Sequence, residues 1–172
     1  MTFPQAILTK LTPLYQSALD TLKRGDKLAP VAFVGSATGE IFPIVNTSST
    51  EEDKDAWASH ITRLAGIYNA DFVCIMMESW SLLPKYVHLY KDILQKYGSV
   101  EASPYKLDVI SISIETPEQF WMSQRPIRKV PPSKKRRAFY IPTGDDFQCY
   151  TEAAGRFAAL LPNSKLVDPT KD

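Results

Sequence analysis

Three carboxylates, Glu78, Asp108 and Glu115, end or bracket stretches that read as β-strands. Neighbouring strands would set Glu78 beside one of the other two, and such an acid pair can hold Mg²⁺ for phosphodiester cleavage. A nuclease of that kind usually also has a lysine on the same strand, and residues 109–115 contain none. The plainer reading is of strand-end carboxylates that face water or cap a neighbouring loop. His60 and His88 are the only histidines, and neither has a partner at i+4 or a cysteine at ligand spacing, so no metal site is expected. Ser36 lies in the run Gly35-Ser-Ala-Thr-Gly39, without the glycine two residues earlier that a nucleophile elbow needs. The same run lacks the Gly-Lys-Ser/Thr ending of a phosphate-cradling loop. The residues predict no catalytic group and no cofactor.

The charge pattern says more. Residues 125–137 hold seven basic side chains and no acidic one: Arg125, Arg128, Lys129, Lys134, Lys135, Arg136 and Arg137. Taking those seven from the 20 Lys and Arg of the chain leaves 13 against 19 Asp and Glu. A formal net charge of +1 therefore conceals a strongly basic segment on an acidic body. Clustered positive charge attracts phosphates or an acidic surface even when the mean charge does not. Three readings stay open. The segment could bind nucleic-acid phosphates, with Trp121 or Tyr140 as a stacking face. It could dock on an acidic protein, including a second copy of this chain. It could also be a solvated loop between strands, kept extended by Pro126, Pro131 and Pro132.

The elements that would position these groups follow from periodicity. Ile7, Leu8, Leu11, Leu14, Tyr15, Ala18, Leu19 and Leu22 form one helical stripe, with Thr2 and Gln5 as a capping box, Pro13 as a kink or restart and Gly25 as the stop. Residues 31–34 and 41–45 flank a turn-rich connector and predict a hairpin, with Pro43 placing its second strand at an edge. Ser48, Ser49 and Thr50 offer caps to a second helix whose first residues, Glu51, Glu52 and Asp53, suit the positive end of its dipole. Residues 72–77 (FVCIMM) form an apolar run that predicts a central strand covered on both faces. A helical insertion over 82–106 follows, and its Tyr86, Tyr90 and Tyr97 suggest a face for self-association. Residues 109–114 alternate strictly, with Ile110, Ile112 and Ile114 inward and Ser111 and Ser113 outward. A further strand over 138–141 and a last helix over 145–161 complete the pattern.

These elements predict a single α+β domain over 1–162, followed by a flexible tail over 163–172. The sheet is expected to be mixed or antiparallel with four to five strands, packed with about four helices. The basic segment, bounded at 123–137, becomes an inter-strand loop. No apolar run is long enough for a membrane span, and the N-terminus has no signal-peptide pattern. Cys74 and Cys149 read as reduced core residues of a cytoplasmic protein.

The run Leu28-Ala-Pro-Val-Ala-Phe-Val34, the acidic helix start with Lys54, and Ala70-Asp-Phe-Val-Cys-Ile-Met-Met-Glu-Ser-Trp80 resemble a loose group of uncharacterised bacterial and phage proteins. In that group a strand ending in Glu-x-Trp leads to one ending in Glu, which Glu78, Trp80 and Glu115 match. The resemblance implies a bacterial or phage origin and no particular activity. The 82–106 insertion and the basic loop depart from its pattern. The leading expectation is a non-catalytic binding or adaptor protein acting through the basic loop on a protein partner. A nucleic-acid-binding protein using the same loop comes second, and a metal-dependent nuclease third.

Overall fold

The computed structural model describes residues 2–47 and 50–171. Its centre is a six-stranded sheet in which every neighbouring pair is antiparallel. The strands are β1 (Val31–Gly35), β2 (Ile41–Val45), β3 (Phe72–Leu82), β4 (Lys106–Glu115), β5 (Phe120–Pro126) and, at one edge, β8 (Gln148–Tyr150). The order across the sheet is β2-β1-β3-β4-β5-β8. A separate two-stranded ladder joins β6 (Arg128–Lys129) to β7 (Arg137–Ala138). Three α-helices are present among the described residues: α1 (Gln5–Lys23), α2 (Glu51–Ile67) and α3 (Tyr90–Tyr97). The architecture is α+β as expected, with more strands and fewer helices than the sequence predicts. No helix is long and apolar enough to cross a membrane among the described residues.

Period-two alternation sorts the sheet's side chains onto two faces. Val31, Phe33, Cys74, Met76, Ile110, Ile112 and Ile114 share one core with the buried stripe of α1. Ala32, Val34, Val73 and Ile75 share the other with Trp57, Ala58, Ile61 and Ala65 of α2. The run 72–76 is buried throughout because helices cover β3 from both sides. Both cysteines are free thiols, with Cys74 buried and Cys149 partly so.

Several local signals act as the sequence suggests. Thr50 caps α2 by accepting the Asp53 N–H at 3.1 Å, while Ser48 and Ser49 lie outside the described residues. Asn69 takes the left-handed exit at φ 49°. The α1 helix is capped differently: Pro4 occupies the N-cap without a side-chain hydrogen bond, so the expected Thr2–Gln5 box is not formed. Pro13 is exposed and the helix runs through it unbroken from Gln5 to Lys23. Gly25, at φ 85°, ends it, with its own N–H on Leu22 O and the Asp26 N–H on Thr21 O.

The last expected helix is absent. Asp146 accepts the Thr143 N–H at 2.8 Å and closes a short 3₁₀ turn (Gly144–Asp146). Residues 148–150 then pair with β5. The stripe predicted for one helix is split between opposite sheet faces. Phe147 stacks on Phe3 in the α1 core, whereas Leu161 is buried and Phe157 packs in the α2 core. Backbone at Gly155 (φ 107°) and Ala159 (φ 54°) could not belong to a helix. The 163–172 segment, expected as a tail, is stitched to the domain through residue 167: the Lys165 N–H reaches Pro117 O, and Val167 bridges Glu152.

Candidate functional site

The basic segment is an ordered hairpin, not an extended loop. Arg128 pairs with Ala138 and Lys129 with Arg137. Its turn is built on Ser133, whose hydroxyl accepts the N–H groups of Lys135 (3.2 Å) and Arg136 (3.0 Å). Pro131 and Pro132 fall inside the turn, where a missing donor costs nothing, so the flanking residues remain free to form the ladder. The Ile127 N–H continues the sheet by reaching Asp108 O at 2.9 Å, and β7 packs on α1. The expected strand over 138–141 shrinks to Arg137–Ala138 because Ala138 and Phe139 turn inward to the α1 core.

Two of the seven cations are spent on the protein itself. Arg125 donates to Asp146 Oδ1 at 2.9 Å and to Tyr140 O at 3.1 Å. Hydrogen bonds from Thr143, chiefly its N–H, together with the Arg125 charge hold the Asp146 carboxyl below its ordinary value. Arg137 forms an ion pair with Glu78, which also accepts the Leu28 N–H at 3.0 Å. Both side chains of that pair are about one quarter exposed, so Glu78 clasps the hairpin to the segment entering β1. Glu78→Ala would leave a half-buried guanidinium and an amide without their acceptor. A loss of about 1–2 kcal/mol is expected, read by chemical denaturation, together with faster proteolysis in the hairpin. An unchanged denaturation midpoint would show that the clasp contributes nothing.

The other five cations, Arg128, Lys129, Lys134, Lys135 and Arg136, are exposed and form no ion pair among the described residues. The Arg128 guanidinium lies 4.3 Å from the ring centre of Tyr140, itself 67% exposed. The fold adds basic residues that the sequence reading missed. A β-carbon at Gly25 would come within 3.1 Å of Lys135 Cβ, so the hairpin turn abuts the end of α1. Lys23, Arg24 and Lys27 therefore flank Lys134–Arg136 across more than a hundred residues of sequence. Arg24 pairs with Asp26 at 3.5 Å in an exposed contact. Basic residues at a helix C-terminus were a visible signal, but nothing in the sequence placed them beside the hairpin.

Two expected roles change. Trp121 is 2% exposed and meets Phe3 edge-on at 5.1 Å, so its ring cannot receive a base. Of the three tyrosines expected to offer a face for self-association, Tyr86 and Tyr97 are partly buried. Tyr86 and Tyr97 gather around Tyr105, at 4.2 and 6.3 Å between ring centres, and Tyr90 alone is half exposed.

Of the expected partners of Glu78, Glu115 is not brought near it, whereas Asp108, opposite Trp80, is exposed on the same sheet face as Glu78, one diagonal step away. Glu78 lies opposite Ile110 and Glu115 opposite Val73, which is about 17 Å along β3 and on opposite faces. Glu115 is buried, accepting the Leu160 and Leu161 N–H groups at 2.9 and 3.0 Å. No cluster of three or more potential metal ligands occurs among the described residues. The fold and site thus define an antiparallel α+β protein with an electropositive hairpin edge. Comparison with protein-family models, curated proteins and solved structures finds no match.

Proposed function

We propose that this chain is a cytoplasmic binding or adaptor protein, of bacterial or phage origin, that docks on a polyanionic partner through its basic hairpin. One observation carries the reading: five exposed cations that form no ion pair among the described residues stand on an ordered hairpin, beside the basic end of α1. An ordered presentation matters because a hairpin backbone already in place loses less entropy on binding. The leading partner is an acidic protein surface, which point charges on flexible lysines can satisfy without fixed geometry. Nucleic acid is the second reading, favoured by the Arg128–Tyr140 stack, a flat cationic platform at the hairpin's base suited to an unpaired nucleobase.

The test is fluorescence anisotropy with two labelled probes, polyglutamate and a single-stranded oligonucleotide, across a salt series. Binding to polyglutamate alone supports the protein reading, and binding to the oligonucleotide supports the second. Replacing Lys134, Lys135 and Arg136 by alanine is expected to weaken whichever complex forms by tenfold or more. For the oligonucleotide, the slope of log affinity against log salt would become shallower by about two. Absence of binding to either probe at low salt would overturn the proposal.

A further inference from the structure

The α2 face of the sheet is only half covered. The helix lies over β1 and β3, and among the described residues no helix packs on the same face of β4, β5 and β8. There the chain after β8 returns as an irregular wall. Its attachments are specific. Arg156 donates to Glu51 and Asp55 of α2 at 2.5 and 2.6 Å, and Phe157 meets Trp57 edge-on at 5.3 Å. Glu115 holds the next two amides, Leu160 and Leu161, and Glu152 is bridged to Val167. With the wall tied at both ends, a groove of about 450 Å³ stays open between it and the strands.

Met77, Phe120, Met122 and Tyr150 make the groove largely apolar, and Ser113 adds a hydroxyl to its floor. Ser113 Oγ has no hydrogen-bond partner among the described residues. Arg156 is already committed to two carboxylates, so the groove has no free cation. Its free charge is the exposed carboxylate of Glu152, which has no side-chain partner among the described residues. We propose that this groove is a binding site for a small organic cation with an apolar, preferably aromatic, body. The body would lie on Met77, Met122 and the Phe120 and Tyr150 rings, and its ammonium would meet Glu152 at the rim.

Size and charge argue for this occupant. The volume falls within the range of small-molecule sites, about 300–1,000 Å³. Methionine side chains adapt to irregular apolar bodies, and aromatic faces favour a neighbouring cation. A carboxylate ligand would meet Glu152 with no counter-charge left to offset it. The site is distinct from the hairpin: the groove belongs to the acidic body and the hairpin to the basic arm.

Three probes of matched shape separate the terms: 4-phenylbutylamine, 4-phenylbutanol and 4-phenylbutyrate, titrated into ¹⁵N-labelled protein. Perturbed amides are expected around β4, β5 and residues 150–153. Affinity should be about millimolar, as expected of a fragment of about eleven or twelve heavy atoms, in the order amine, alcohol, carboxylate. The rim position limits the amine's advantage over the alcohol to about two- to fivefold. Glu152→Gln should remove that advantage and leave the alcohol unchanged, and Ser113→Phe should weaken all three by filling the floor. The proposal is overturned by perturbations that map elsewhere, by equal binding of amine and carboxylate, or by an amine preference that survives Glu152→Gln.

Discussion

Replacing Trp121 by alanine is expected to cost about 3–5 kcal/mol, the range for truncating a large buried aromatic. The indole is 2% exposed on β5, opposite Ile114 on one side and Cys149 on the other. It meets Phe3 edge-on, and Phe3 in turn stacks on Phe147 at 4.6 Å between ring centres. Losing the indole would therefore loosen the start of α1 and the chain entering β8 together, because Phe3 and Phe147 close over the same place. Trp121→Phe keeps a ring there and deletes an indole N–H that has no protein partner among the described residues. A smaller loss of about 1–2 kcal/mol is expected for it. Urea denaturation measures both. The phenylalanine variant, still folded, should bind the polyanion probes like the wild type. Had Trp121 been a stacking platform, its replacement would weaken oligonucleotide binding with little change in stability. That opposite pattern would refute the core assignment.

Trp121 also shows where sequence stops informing. Its neighbours Phe120 and Met122 are only partly buried, and alternation decides which of the three enters the core. That parity depends on pairing with β4, which a single sequence does not display. Where the signal was local, it was legible. Ile110, Ile112 and Ile114 are each 0% exposed, as their alternation implied, and Thr50 caps α2. The supposed last helix failed because a 3.6-residue period needs one apolar partner face, and residues 147–161 serve two. The basic charges of 125–137 were visible, but not their division into spent and free. Arg137 meets Glu78 across 59 residues and Lys135 meets the end of α1 across 110, contacts that only the finished topology brings about. Ser111 and Ser113 were rightly placed on the face opposite the isoleucines. That this face becomes the floor of a groove depended on the path of the chain after β8, where periodicity misled.

Glu115→Ala is expected to cost about 2–5 kcal/mol, because it leaves two buried amides, Leu160 and Leu161, without an acceptor. Each such group carries a penalty of about 1–3 kcal/mol. Relief from burying the carboxylate offsets part of this, which keeps the total below the sum of two lost hydrogen bonds and a cavity. Glu115→Gln should fall between, since its carbonyl serves one amide and its NH₂ faces the other. The two variants also isolate a pH effect. Burial raises the Glu115 carboxyl above its ordinary 4.5, while the Leu160 and Leu161 amides and Ser164 pull the other way without reversing it. The folded state therefore holds a proton that the unfolded chain has released, in the window from 4.5 up to the raised value. Stability from this group is full below that window and declines as pH rises through it. Glu51, Glu118, Asp146 and Asp168 are shifted downward and impose the opposite slope, so the wild-type curve alone is not diagnostic. The difference between wild type and Glu115→Gln is diagnostic, because those four groups are common to both. That difference should be largest at acidic pH and shrink as pH rises toward neutral. A gap that is constant, or that widens toward neutral pH, would mean that Glu115 stays ionised in the folded protein and that the two amides outweigh its burial.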